Sequence, residues 1–180
     1  VPLGTPLLSA RVCTTVPSGA ACCGQTRTVA REAAGTNLGR MRNLVLMRHA
    51  KSDYPDGVPD HERPLAKRGI REAGLAGEWL RAHVRAIDAV LCSSATRTRQ
   101  TLARTGLEAP VTFSDRLYGA APGEMIAEIN GVDDAIGTLL VLGHEPTVSS
   151  VALGLAGPGS DRSATDAIAA KYPTSGIAVL

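Results

Sequence analysis

The sequence predicts an α/β fold of three layers, α/β/α, built on a mostly parallel sheet. Two observations carry that expectation. Apolar runs at Leu44–Met47, Ala89–Cys92 and Thr138–Leu142 are short, continuous and closed by polar or glycine-containing segments, the pattern of strands buried on both faces. Between them lie longer stretches with apolar residues three or four apart. Strands and helices therefore alternate, and a βαβα alternation puts helices on both sides of a parallel sheet.

In chain order, the first strand gives way to a polar loop from Asp53 to Asp60. Ile70, Ala73, Gly74, Gly77, Leu80 and Val84 then share one face of a helix expected over about 65–84. A strand at 88–92 precedes a helix at about 95–104. A short strand near Val111-Thr112-Phe113 comes next, followed by a loop and a helix from Gly123 to Asn130. After the strand at 138–142, Pro146 suits the first turn of a helix reaching Leu155. Gly157-Pro158-Gly159-Ser160 reads as a loop and Ser175–Leu180 as a last strand.

Residues 1–40 have another character. They are rich in Gly, Ala, Thr, Ser and Pro without a sustained period, and are expected to be a disordered N-terminal extension. Nothing basic precedes the brief Pro6-Leu7-Leu8 stretch, which argues against a secretory signal. Met41, two residues before the first strand, is the expected natural start, with one domain over 41–180.

The 180 residues carry a net charge of +2, and 44% of them are hydrophobic, ordinary globular composition. Residues 1–40 hold +3 of that charge, so the domain is near neutral at −1 and lacks the basic stripe of a nucleic-acid binder. Aromatic residues make up 3%, which leaves few platforms for base stacking. Neither nucleic acid nor membrane is an expected partner, because every apolar run is too short to span a bilayer. Of four cysteines only Cys92 lies in the domain, and no zinc spacing occurs; a cytoplasmic location suits that usage. Cys92, at a strand end, reads first as a small buried hydrophobe.

The chemistry gathers where the strands end. Arg48-His49 follows the first strand, Ser93-Ser94-Ala95-Thr96-Arg97 the second and Gly143-His144-Glu145-Pro146 the third. Ligands of open α/β sheets bind beyond the carboxyl ends of the strands, and here those ends deliver two arginines and two histidines. A tetrahedral oxyanion fits that set, since planar guanidinium groups match phosphate oxygens in pairs and keep their charge at any physiological pH.

Arg48-His49-Ala50, the Ser93 to Thr101 segment of form Ser-x-x-x-Arg-x-x-Gln-Thr, and Gly143-His144-x-Pro146 resemble the histidine phosphatase superfamily, the phosphoglycerate mutase-like fold. Arg48-His49-Ala50-Lys51-Ser52, with Arg63-Pro64-Leu65 and Arg68-Gly69 downstream, is most similar to small phosphohistidine phosphatases of SixA type. The resemblance covers about 43–180. It implies a nucleophilic His49, phosphate-binding Arg48 and Arg97, and His144 as a donor to a phosphoryl oxygen. Ser52 and Arg63 are candidate substrate contacts, with a turn role and a helix-flanking charge as their plainer readings. Glu124 is the candidate general acid; Glu145 is its rival, and either is equally placed to be a helix N-terminal carboxylate. Family members continue beyond the strand that Leu180 closes, so the last strands are expected to be truncated.

The resemblance implies a hydrolase with no metal and no cofactor. Its substrate would be protein phosphohistidine or a small phosphorylated metabolite. The competing expectations are a phosphoglycerate-mutase-like phosphotransferase and a catalytically idle phosphate-binding or interaction module.

Overall fold

A computed structural model describes residues 11–13 and 42–180. Six strands form one sheet: β1 (Arg11–Cys13), β2 (Asn43–Arg48), β3 (Ala89–Ser93), β4 (Val111–Ser114), β5 (Thr138–Gly143) and β6 (Ile177–Val179), in the spatial order β1-β6-β2-β5-β3-β4. β2 with β5, β5 with β3 and β3 with β4 are parallel, while β6 runs antiparallel to β2 and to β1. Apart from Arg11–Cys13, the expected disordered extension lies outside the described residues.

The helices are α1 (Lys67–His83), α2 (Thr96–Thr105), α3 (Pro122–Asn130), α4 (Thr147–Leu155) and α5 (Arg162–Ala170), with single 3-10 turns at Asp60–Glu62 and Asp115–Leu117. Alternation along the strands sorts them into two layers. Val45 and Met47 of β2, Val90 and Cys92 of β3, and Leu140 and Leu142 of β5 pack with Ala76 and Leu80 of α1 and Leu102 of α2. Leu46, Leu91 and Val141 point the opposite way, into a core with Met125 of α3, Val148 and Val151 of α4 and Ile168 of α5. Three consecutive buried residues on β2 and six on β5 thus read as continuous apolar runs, because both of their faces are covered.

Two expectations need correction. Ile70 does not belong to the buried face of α1 but is 39% exposed; that face is Gly69, Ala73, Ala76, Gly77 and Leu80. The rotation follows from Gly69, where an added Cβ would lie 2.0 Å from the carbonyl oxygen of Lys51, so α1 presses bare backbone on the loop after β2. The second is α5, absent from the sequence-based element list. Asp161 starts it as N-cap, accepting from the Ala164 amide at 3.2 Å.

Cys92 is buried as expected, and burial pushes its thiol up to about 12, which makes it unreactive as a thiolate. Among the described residues no helix is long and apolar enough to cross a membrane.

Candidate active site

β2, β3 and β5 are adjacent and their ends lie side by side, so Arg48, the Ser93 loop and His144 meet above the same edge of the sheet. His49 is 9% exposed and held by its backbone on two sides. Its amide donates to Gly143 O at 3.1 Å and its carbonyl accepts from the Ser175 amide at 3.2 Å. Its ring Nδ1 lies 2.8 Å from Ala50 O. A carbonyl only accepts, so this bond puts the proton on Nδ1 and leaves Nε2 with a free lone pair. Burial, and then the charges of Arg97, Arg48 and Arg63, lower the His49 pKa to about 4. The ring is therefore neutral at physiological pH.

His144 stands beside it, ring centroids 5.2 Å apart. Its Nε2 is 2.8 Å from Ser93 Oγ, while its Nδ1 is buried without a partner. Burial above all, then the neighbouring His49 and Arg97, lowers its pKa to about 3. At Gly143 an added Cβ would lie 2.9 Å from Met125 Cε and 3.2 Å from Val148 Cγ2, so the end of β5 packs closely under α3 and α4 just before His144.

The arginines arrive from separate elements. Arg48 closes β2, and its Nη1 donates to Tyr172 O at 2.6 Å; its Nε is buried without a partner. Arg97, in the first turn of α2, is 7% exposed and donates from Nη1 to Asp60 O at 2.6 Å and from Nη2 to Asp60 Oδ2 at 3.0 Å. Arg63 donates to Asp53 O, to Asp60 Oδ1 and, from Nη2, to Ser52 Oγ at 2.7 Å. Ser52 is buried, and its residue bridges to Leu65. Of the expected residues, Arg48, His49, Arg97 and His144 form one cluster, with Arg63 and Ser52 at its side.

Glu124 and Glu145 line a cleft of about 350 Å³ together with His144, Ala120, Pro146 and Thr147. Both carboxylates are engaged at helix starts. Glu124 accepts from the Ala121 amide at 2.7 Å; Glu145 accepts from the amide and hydroxyl of Ser149. Arg99 points away from the cluster, donating to Ser94 O beneath the Phe113 ring.

Four residues escaped the sequence reading. Asp60 receives Arg63, Arg97 and the Tyr118 hydroxyl; Tyr118 also meets the rings of His61 and His144 edge-on, at 4.8 and 5.6 Å between centroids. Gln100 and Thr101 sit inside a recognised motif but had no role assigned. Thr101 Oγ1 accepts from the Ala50 amide at 3.0 Å and Gln100 Oε1 from the Leu65 amide at 2.7 Å, so the helix that carries Arg97 also fixes the loop that follows His49.

The model of the histidine phosphatase superfamily, branch 1, matches residues 44–128. An uncharacterized protein of Mycobacterium tuberculosis strain H37Rv is 65% identical over 135 residues, 74% of this chain and 85% of the relative. A protein of Nakamurella multipartitia described as a candidate phosphohistidine phosphatase SixA is 42% identical, with a TM-score of 0.69 over 77% of this chain and 83% of its own. The chain belongs to the histidine phosphatase superfamily, and within it to the SixA type. The protein histidine phosphatase SixA solved with tungstate is a more distant match to this SixA-type chain, 26% identical with a TM-score of 0.61 over 76% of this chain and 86% of that one.

Proposed function

We propose that this chain is a metal-independent phosphatase that forms a phosphohistidine at His49, with protein phosphohistidine as the preferred substrate class and small phosphorylated metabolites as the wider one. Membership of the superfamily supports the phosphatase class. The observation that carries the narrower reading is His49 itself, a neutral imidazole of fixed tautomer, with Nε2 free, in the field of three guanidinium groups. A nucleophile needs a lone pair, and the arginines that disfavour the imidazolium are those able to hold the attacked phosphoryl group.

In the first step Nε2 attacks phosphorus in line and the bond to the leaving group breaks. Arg48 and Arg97 neutralise the charge spread over the three equatorial oxygens, and the neutral His144 ring donates a hydrogen bond to one of them. Water then attacks the phosphohistidine and the P–N bond breaks, returning His49 as neutral imidazole and releasing inorganic phosphate. Arg63 and Ser52 act as a pair beside the phosphoryl group, Arg63 orienting the hydroxyl it donates to.

The leaving group decides how much acid help is needed. Glu124 is the proposed proton donor for alkoxides. One of its oxygens already accepts from the Ala121 amide, which suits a site where strong acid catalysis is dispensable. An imidazole leaving a P–N bond departs readily, and this favours phosphohistidine over alkyl monoesters. A divalent cation has no place in the scheme, because three guanidinium groups around two imidazoles repel it.

Acid-labile, base-stable phosphate trapped on His49 after mixing with a phosphohistidine protein would establish the intermediate. Turnover should be unchanged by chelator and faster with phosphohistidine than with sugar phosphates. A divalent-dependent rate, or label on any other residue, overturns the reading.

A further inference from the structure

Asp60 belongs to none of the strand-end motifs and lies on a single 3-10 turn, yet four donors of the site converge on it. Its carbonyl and Oδ2 take Nη1 and Nη2 of Arg97, Oδ2 also accepts from the Tyr118 hydroxyl at 2.7 Å, and Oδ1 accepts from Arg63 Nη1 at 2.6 Å. Arg97 therefore gives its end-on edge to one residue. Its Nε has no protein partner among the described residues and is not one of the buried unpartnered atoms, so the side-on edge stays open. Either edge of a guanidinium can offer two parallel N–H donors to an oxyanion. Which edge faces the pocket is settled by what holds the other.

We infer that Asp60 is a positioning residue: it clamps Arg97 by the end-on edge so that the side-on edge is presented to a phosphoryl group, and it ties that arginine to Arg63 and Tyr118 in one rigid rim. The inference rests on the phosphate-binding role of Arg97 proposed above. A long guanidinium side chain otherwise gives up its rotamer freedom at the moment of binding, and a partner that fixes it beforehand lowers that cost. An anion competing with substrate would occupy the edge the substrate needs, and Asp60 occupies the other. The carboxylate is half-exposed, with a side-chain accessibility of 52%, so it contributes little to global stability. Its effect is concentrated on Arg97.

Titration calorimetry with tungstate and with inorganic phosphate tests this without reference to turnover. The proteins compared are the wild type, Asp60→Ala, Arg97→Ala and the double variant. Asp60→Ala should weaken oxyanion binding about tenfold or more while leaving the thermal midpoint within a few degrees. In the Arg97→Ala background the same change should cost less than about twofold, because its effect passes through that arginine. Asp60→Asn, which keeps one acceptor oxygen, should fall between, and carries the test if the alanine variant does not fold. Equal losses in both backgrounds, no loss, or tighter binding in Asp60→Ala would each overturn the inference. Coupled oxyanion binding without turnover of any phosphorylated substrate refutes the phosphatase reading and leaves the role of Asp60 intact. Normal turnover without coupling does the reverse, and a wild type that binds no oxyanion refutes both.

Discussion

The two ends of the sheet differ in a way that cavity size alone would misjudge. At the amino ends of β3 and β5, a groove of about 570 Å³ is lined by Ala89, Leu91, Val132, Ile136 and Leu139, with Arg116 and Glu128 paired at 3.2 Å. At the carboxyl ends the cleft beside His144 holds about 350 Å³, yet there two imidazoles lie 5.2 Å apart within reach of several arginines. The only cation among the described residues lining the larger space, Arg116, is already paired with Glu128. Around the smaller one, polar atoms are left without a protein partner: Arg48 Nε beside it and His144 Nδ1. Strand polarity explains the asymmetry, since parallel strands deliver every following loop to the same end.

Substitutions can break that contrast, the strongest being at the nucleophile. His49→Ala should abolish turnover in a phosphatase assay and leave circular dichroism unchanged, because the ring lies at a strand end outside both apolar cores; retention of a tenth of the rate would exclude His49 as the nucleophile. Arg97→Lys should lose about two to three powers of ten in kcat/KM, as a point ammonium cannot pair with two oxygens at once. A near-neutral result would place Arg97 outside the reaction.

Smaller effects sharpen the comparison. Glu124→Gln should slow alkyl phosphate hydrolysis about 10²-fold and barely alter phosphohistidine turnover, since proton donation helps only a leaving atom that needs it. Equal slowing of both substrates would remove Glu124 from that role, and the same comparison with Glu145→Gln tests its rival. Acidification tests the buried imidazoles. Their folded pKa values, about 4 and about 3, lie below the unfolded 6.5, so the unfolded chain binds more protons in that interval. Stability should therefore fall as pH drops from about 6.5 toward 4, and denaturant melts of His144→Gln should show a shallower fall. At the other end of the sheet, Arg116→Ala removes an ion pair whose arginine is mostly exposed. It should change kcat/KM by less than about twofold and stability by less than about 1 kcal/mol.

How much of this was legible depends on the range of each interaction. The strands at 43–48, 89–93 and 138–143 were visible because burial on both faces writes an unbroken apolar run into the chain. Arg48, His49, Arg97 and His144 were legible for a related reason, as each follows such a run within a few residues. The direction of β6 was not, because apolar alternation is the same for parallel and antiparallel partners. α5 was missed because its buried face is only Ala164 and Ile168, too short a stripe to register as a period. Asp60 and Tyr118 were illegible. Their contacts join residues 37 and 58 positions apart and leave no periodic trace.

The backbone around His49 has a consequence for the order of events. β2 ends stitched to both neighbours: the His49 amide is bonded to Gly143, its carbonyl to Ser175, and the Arg48 amide to Gly176. A nucleophile on this backbone, as proposed for His49, has its main chain fixed through both steps, so the phosphoryl donor and then water must come to it. They meet it beside a rim whose shape is held by Asp60, which bonds Arg63, Arg97 and Tyr118.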